Sequence, residues 1–558
     1  MRSRIDRCAE THDALSIALC DAFVLDSRWR ARPLTELQTM FQQLLQRNAD
    51  YHPDDTAIVW SDQRLSHAAL LDRVERSARG LLNLGISAGD RVALLLENGP
   101  DFITGFFANV CCRAINVPLN VSCTAAEAAY YFDDSQISAV IVDMQHFDVA
   151  KEAARALRKD VTLIVCGDCP SAATSFASLS RTESDASLPT SAWDDDVVYM
   201  YTSGSTGRPK CIPRTHAQYW WEMDNVATAL GLDRDDVIFC TIPLFHNFGA
   251  VQCMLAAVGS GARLVLIPNS NPFALYRDEV LRLLEKERVT VFPGVPFVFD
   301  QLVKSSRSAN LSFIRACYSA AATLTEEIAV GFYHKFSIPI RQHYGCSEAG
   351  AISIDMSDEP PPFERSVGSA FPGVRVTIRD DSGQVLAPGE VGEVAVKGRQ
   401  VMSGYRNAEQ PEATFFEDGS FRTGDLGQID ECGKLYLVGR KKLIIDIMGQ
   451  KVDPIEVENV LKKLSAVEDC VVVSAPFGSS GERALQAYVV AEDECKEEML
   501  LDFCKRRLSH FKVPVATRFV DRIPRTAMGK VVRNRELLEQ HVIGVAEKVL
   551  AEEPQCRG

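Results

Sequence analysis

Residues 196–210 read Asp196-Val197-Val198-Tyr199-Met200-Tyr201-Thr202-Ser203-Gly204-Ser205-Thr206-Gly207-Arg208-Pro209-Lys210. The stretch Val197–Tyr201 is short and apolar, the pattern of a strand buried on both faces. The glycines that follow let the backbone turn tightly, so successive N–H groups can point inward at an anion. Ser203, Ser205 and Thr206 add hydroxyl donors for phosphate oxygens, and Lys210 adds a positive charge. A Ser/Gly/Thr run alone is usually a plain turn. The strand before it and the Arg208-Pro209-Lys210 after it make this one a phosphate-loop candidate. It is not a Walker A loop, because no Lys-Ser/Thr pair follows the last glycine at the required spacing.

The same strand texture extends in both directions. Toward the N-terminus, Arg91–Glu97 and Ala139–Asp143 read as buried strands, with Asp101–Arg113 as a helix between them and Leu34–Asn48 as an earlier helix. Toward the C-terminus, Val237–Thr241, Arg263–Ile267 and Thr290–Phe292 read as strands, with helices near 216–230, 248–260, 276–287 and 323–336. Such alternation predicts largely parallel sheets covered on both faces. Residues 167–195, rich in Ser, Thr, Ala and Asp, read as a surface loop. After Gly350 the strands Val374–Arg379, Gly392–Lys397 and Lys434–Val438 follow one another without helices, which suggests a small antiparallel subdomain. From about 443 a new unit begins: an acidic helix (454–464), strands at 469–474 and 485–491, a helix (496–509) and a basic segment (522–535). There is no internal repeat and no low-complexity tract.

The chain has 558 residues, which predicts several packed units. Its net charge of −15 gives no basic footprint for nucleic acid and argues against broad binding to an anionic membrane. No stretch approaches the ~20 apolar residues of a membrane helix. Leu15–Leu25, the best signal-segment candidate, is broken by Asp21 and preceded by Asp6, Glu10 and Asp13, so a cytoplasmic location is expected. The 17 cysteines are not spaced as a disulfide scaffold. Cys166 and Cys169 form the one C-x-x-C, with no second pair at zinc-finger spacing, and read as surface thiols. Cys111-Cys112 reads as a pair of buried small hydrophobes.

Four further segments appear in order after the phosphate loop: Tyr344-Gly345-Cys346-Ser347-Glu348, Phe421-Arg422-Thr423-Gly424-Asp425, Gly439-Arg440-Lys441-Lys442 and Pro524-Arg525-Thr526-Ala527-Met528-Gly529-Lys530. Together with Thr202–Lys210, this ordered set resembles the signatures of the adenylate-forming (AMP-binding) superfamily, and within it the acyl- and aryl-CoA synthetases. The resemblance covers nearly the whole chain. It implies an α/β fold: a large N-terminal domain (34–441) of two doubly wound sheets plus a small β subdomain, and a small mobile α+β C-terminal lid (442–558). Residues 1–33 would be an N-terminal extension.

The resemblance also implies the site. Thr202, Ser203, Gly204, Ser205, Thr206, Gly207 and Lys210 would cradle the phosphates of ATP. Tyr344 and Gly345 would meet the nucleotide, with Tyr344 stacked on adenine and Gln342 bonded to its edge. Ser347 would contact the α-phosphate and Glu348 would hold Mg²⁺, which prefers oxygen ligands. Asp425, an acceptor-only carboxylate, would take both ribose hydroxyls, and Arg440 would reach the ribose or phosphate. Lys530 would bridge the carboxylate and α-phosphate oxygens, where developing charge needs a fixed cation. Lys442 would be the hinge about which the lid turns, withdrawing Lys530 and bringing Gly449–Val452 toward the thiol channel. Asp446 stands where several members carry lysine on that second-half face.

Pro243-Leu244-Phe245-His246-Asn247-Phe248-Gly249 resembles the P-x-F-H-x-x-G segment of the CoA synthetases. Phe245-His246 stands where domains that take amino acids place an aspartate, which disfavours an amino-acid substrate. His246 would gate the acyl and thiol channels, and Phe248, Gln252, Tyr318, Ala320, Ala321, His343 and Cys346 would line the acyl pocket. Ser319-Ala320-Ala321-Ala322 departs from the commoner S-G-A-A. Tyr318 and His343 are bulky for their places, so the pocket is expected to be short or partly polar, suited to a small aryl or short acyl acid. The activity expected is ligation of a small carboxylic acid to a thiol through an acyl-AMP. Coenzyme A is the leading acceptor, and the phosphopantetheine arm of an acyl carrier protein the alternative. A luciferase-like oxygenase and a catalytically silent binding module are the readings from other classes. Intact Thr202–Lys210, Glu348, Asp425 and Lys530 count against the second.

Overall fold

In the computed structural model the described residues lie between 40 and 543, leaving out 172, 180, 182–185, 203–208, 268–275, 358–360, 407–413, 442, 444, 448–449, 478–481, 493–494, 509 and 527–530. The phosphate-loop strand Asp196–Thr202 belongs to a sheet with the order Thr174–Ser175, Thr162–Cys166, Ala139–Asp143, Arg91–Leu95, Ile115–Pro118, Asp196–Thr202, Lys210–Thr215. Its neighbours are parallel except the last pair, which is antiparallel and sets Thr202 opposite Lys210. A second sheet runs Ser369–Ala370, Gly350–Ile354, Arg341–Cys346, Ala316–Ser319, Val291–Gly294, Val237–Cys240, Arg263–Leu266, Thr56–Trp60, Gln63–Ser66, parallel through its middle.

Apolar strands become parallel sheets here because both faces are covered. Val92 and Leu94 join one apolar cluster, while Ala93 and Leu95 join another. In the second sheet Ile238 and Cys240 face the first of these clusters, while Val237 and Phe239 face a third. The cluster shared by the two sheets is the core between them, and at about 25 cal/mol per Å² its burial is the main stabilising contribution. The doubly wound arrangement expected from the sequence is therefore present.

After Gly350 the expected antiparallel unit is a sheet of Arg375–Arg379, Gly392–Lys397, Phe421–Ile429 and Leu435–Arg440. The C-terminal part holds the hairpin Ile445–Ile447/Gln450–Val452, the helix Pro454–Leu461 and a sheet of Val467–Phe477, Glu482–Ala491 and Ala516–Phe519. No helix among the described residues is long and apolar enough to cross a membrane.

Some expectations need correcting. The 167–195 segment is not all surface loop: Thr174–Ser175 pairs with Ile164–Val165, and Phe176 and Leu179 are buried. Cys166 is buried rather than a surface thiol, although Cys111 and Cys112 are buried as read. The helix expected at 248–260 is interrupted by a π turn over Ala250–Leu255. The helix Pro296–Val303 and the strand Phe421–Ile429 were not among the elements read from the sequence. The described part of Leu34–Asn48 is helical as expected, in a helix over Met40–Tyr51, and 34–39 lie outside the described residues.

Candidate active site

The segment expected to meet the nucleotide is the strand Arg341–Cys346, which turns back antiparallel into Gly350–Ile354. Gly345 has to be glycine, because a Cβ there would stand 2.5 Å from the Gly350 carbonyl oxygen. Next to it Tyr344 is buried, and its hydroxyl donates to Asp425 Oδ2 at 2.6 Å. Burial first, and the Asp425 charge second, push the Tyr344 hydroxyl well above its usual pKa, so it stays a donor. Asp425 and Arg440 are cross-strand partners in the antiparallel sheet, and Arg440 Nε donates to Asp425 Oδ1 at 2.6 Å. Tyr344 and the cross-strand pair Asp425–Arg440, with Tyr344 and Asp425 81 residues apart in the chain, thus form one bonded group. The Gln342 amide nitrogen donates to the Glu364 carbonyl.

Glu348 follows on the same segment. Its Oε1 accepts from the Tyr405 hydroxyl at 2.9 Å, and its carbonyl accepts from Met402 N at 2.8 Å. Lys210 Nζ sits 4.6 Å from the centroid of the Tyr405 ring, a cation–π distance. Lys210 and Glu348 therefore flank one tyrosine. The helix Ala125–Ser135 holds both ends of the phosphate-loop sequence: Tyr201 donates to Asp134 Oδ2 at 2.6 Å, and Tyr130 donates to the Pro209 carbonyl at 2.9 Å.

The acid segment enters through a tight turn in which His246 N bonds the Pro243 carbonyl at 3.0 Å. A Cβ on Gly249 would lie 2.4 Å from that same oxygen, which explains the glycine. His246 is half-buried. Beyond it, the rings of Phe248, Tyr318 and His343 meet with centroids 5.8 Å apart (Phe248 to His343 and Tyr318 to His343) and 6.1 Å apart (Phe248 to Tyr318). Gln252 bonds His343 at 2.7 Å. Ala320 is buried; Ala321 and Cys346 are half-buried, and Ala321 has a left-handed φ of 70°. Burial lowers the His343 pKa to about 4, keeping the ring neutral.

Two residues that brace the candidate site escaped the sequence reading. Arg214 and Glu222 form a fully buried ion pair of 2.9 Å. Arg214 also donates to the Ser347 and Gln400 carbonyls, each at 2.8 Å, and Glu222 Oε1 accepts from Asn247 Nδ2 at 2.8 Å. The pair braces the Ser347-Glu348 turn and the acid segment together. The one available signal was an acid inside the otherwise apolar stretch Tyr219-Trp220-Trp221-Glu222-Met223. Tyr405 was missed as well.

Ser203, Gly204, Ser205, Thr206, Gly207, Lys442, Gly449 and Lys530 lie outside the described residues, as does the Asp446 side chain. No group of three or more His, Cys, Asp or Glu among the described residues would hold a metal unaided. Glu348, a single carboxylate that shares Tyr405 with Lys210, fits Mg²⁺, which commonly rests on one or two carboxylates, waters and substrate phosphates.

The chain is similar to known proteins along most of its length. Residues 45–406 match the family model of the AMP-binding enzymes, and 456–530 that of the AMP-binding enzyme C-terminal domain. The chain is 32% identical to an oxalate–CoA ligase of Arabidopsis thaliana over 90% of its own length and 98% of that protein's. It is 32% identical to a feruloyl-CoA synthase of an Amycolatopsis species, covering 87% of this chain and 96% of the other. ATP-bound MatB from Rhodopseudomonas palustris superposes with a TM-score of 0.79 at 28% identity, over 89% of this chain and 98% of that one.

Proposed function

This chain belongs to the AMP-binding enzyme family, and we propose that it is an ATP-dependent, AMP-forming ligase that joins a small carboxylic acid to coenzyme A. The observation that carries the reading is the bonded group of Tyr344, Asp425 and Arg440 beside Glu348, in a chain whose CoA-ligase relatives match it almost end to end.

The reaction has two halves. A carboxylate oxygen of the acid attacks the α-phosphorus of ATP, the α–β bridging bond breaks, and pyrophosphate leaves. The CoA sulfur then attacks the adenylate carbonyl, and AMP leaves with the electron pair of the C–O bond. No protein nucleophile is needed; positioning and charge neutralisation supply the rate. On this reading Tyr344 stacks on adenine and Gln342 meets its edge. Asp425 takes the ribose hydroxyls, with Arg440 holding the carboxylate in place. Ser347 and the 202–210 loop bind the phosphates. Glu348 is the residue that would hold Mg²⁺, and when bound the ion offsets phosphate charge. Lys530 stabilises the transition state of the first half. Residues 442–558 turn about Lys442 between the halves, and His246 gates the passage between acid and thiol.

The acid is small. The Phe248, Tyr318 and His343 rings, within 6.1 Å of one another, leave little length for an alkyl chain. The two relatives described above are named for oxalate and for a feruloyl group. The names of those relatives also favour CoA over a carrier-protein arm as acceptor. A cytoplasmic location suits a consumer of ATP and CoA. The test is pyrophosphate release with MgATP across aryl, short-chain and long-chain acids, with and without CoA. Release that requires a small acid and accelerates with CoA is expected. Faster turnover of palmitate than of any short or aryl acid would overturn the pocket reading.

A further inference from the structure

The polarity of the acid pocket is set by a carbonyl outside it. The Ser353 main-chain oxygen lies 2.8 Å from His343 Nδ1. A carbonyl oxygen only accepts, so Nδ1 carries the proton. His343 is buried and neutral, so Nε2 keeps its lone pair. Gln252 meets that nitrogen at 2.7 Å, and only its amide nitrogen can donate there. The amide orientation follows from the network: Nε2 toward His343, Oε1 away from it. The reverse orientation would need a doubly protonated imidazole, which burial opposes.

The consequence is an unmatched acceptor. Gln252 is 4% exposed, and its Oε1 has no partner among the described residues. Gln252 lies within the π turn Ala250–Leu255, a helix irregularity common at functional sites because it re-aims side chains. The Tyr318 hydroxyl, on a fully buried ring packed edge-on against His343, also has no partner. Buried polar atoms in folded proteins are nearly always paired, and an exception calls for an explanation. At a substrate site the natural partner is the substrate.

Resting on the ligase reading above, we infer that the acid adenylated here carries a hydroxyl or amino group that donates a hydrogen bond to Gln252 Oε1, on a short or aromatic body bounded by Phe248, Tyr318 and His343. The unmatched Gln252 atom is a carbonyl oxygen, so the group that meets it must donate. A donor-free acid leaves the acceptor buried and unpaired, which disfavours it by about ten- to a hundredfold.

The test uses the full chain and matched acids: benzoate, each hydroxybenzoate and aminobenzoate isomer, the corresponding methoxybenzoates, and propionate beside lactate and 3-hydroxypropionate. Specificity constants are read from pyrophosphate release in wild type and in Gln252→Leu, with an ATP-induced thermal shift reporting that each is folded. In wild type, a donor-bearing acid should exceed its parent by at least about tenfold at one ring or chain position, and its methyl ether should lose the gain. In Gln252→Leu that ratio should collapse toward one. Equal use of donor-bearing and donor-free acids in wild type, or a ratio that survives in Gln252→Leu, would overturn the inference and leave the ligase reading standing. Absence of pyrophosphate release with every acid would overturn both. If Gln252→Leu shows no ATP-induced shift, the wild-type ratio between each acid and its methyl ether decides.

Discussion

Arg214 and Glu222 face each other at 2.9 Å with neither side chain exposed to solvent. Through the Ser347 carbonyl and the Asn247 amide, this pair ties the Tyr344–Glu348 segment to the Pro243–Gly249 segment. Taking away one member strands a charge in the core, at a cost of about 3–5 kcal/mol, whereas replacing both with apolar residues often restores stability. Glu222→Leu and Arg214→Met should each lower the urea midpoint strongly, and the double variant should regain much of the loss. Single variants that cost under about 1 kcal/mol would contradict the bracing role.

Among the described residues Asp425 has one side-chain donor on each oxygen, Tyr344 on one and Arg440 on the other, and each oxygen keeps acceptor capacity for a further hydroxyl. Asp425→Ala should raise the KM for ATP by roughly 10- to 100-fold, with a smaller rise in Tyr344→Phe. The KM of the acid should move far less. An ATP titration at saturating acid, and the converse, separates the two.

Tyr405 donates to Glu348 and lies under Lys210. Tyr405→Phe keeps the ring and removes the hydroxyl, so Glu348 loses an orienting bond. The half-saturating Mg²⁺ concentration for pyrophosphate release should rise by about tenfold, the scale of a hydrogen bond to a charged group. An unchanged Mg²⁺ curve would separate Glu348 from the metal.

Acid should destabilise the fold through its buried imidazoles. Burial lowers both His343 and His216 to about 4. Their folded-state pKa values lie below the unfolded value near 6.5, so their contribution is complete above that pH and is lost as pH falls toward 4. Asp143 works in the opposite sense: burial raises it to about 6, so its contribution is present at low pH and is lost as pH rises through 6. Two groups outweigh one, and the urea midpoint should fall between pH 7 and pH 4.5. Asp143→Asn should steepen that fall.

These residues also mark how far the sequence could be read. Val197–Met200 and Ala139–Val142 announced themselves because a strand buried on both faces must be apolar throughout, and the ordered motifs carried the candidate nucleotide site. Arg214 did not, because its partners Glu222, Ser347 and Gln400 meet it only through the fold, and an isolated arginine reads as an exposed cation. Tyr405 was hidden for the same reason, 57 residues from Glu348. The π turn at Ala250–Leu255 leaves no trace in periodicity, because its apolar residues suit an ordinary buried helix. Phe421–Ile429 was passed over as a strand because its Thr423-Gly424-Asp425 reads as a turn.

The central claim is that one site makes an acyl-adenylate and passes it to CoA. The most direct measurement is a single-turnover quench with enzyme in excess over α-labelled ATP and a saturating small acid, followed by addition of CoA. The account predicts that acyl-AMP and pyrophosphate form in equal amounts before CoA is added, and that the adenylate then converts to AMP and acyl-CoA one for one. Labelled ADP, or an adenylate that persists unchanged after CoA is added, would contradict it.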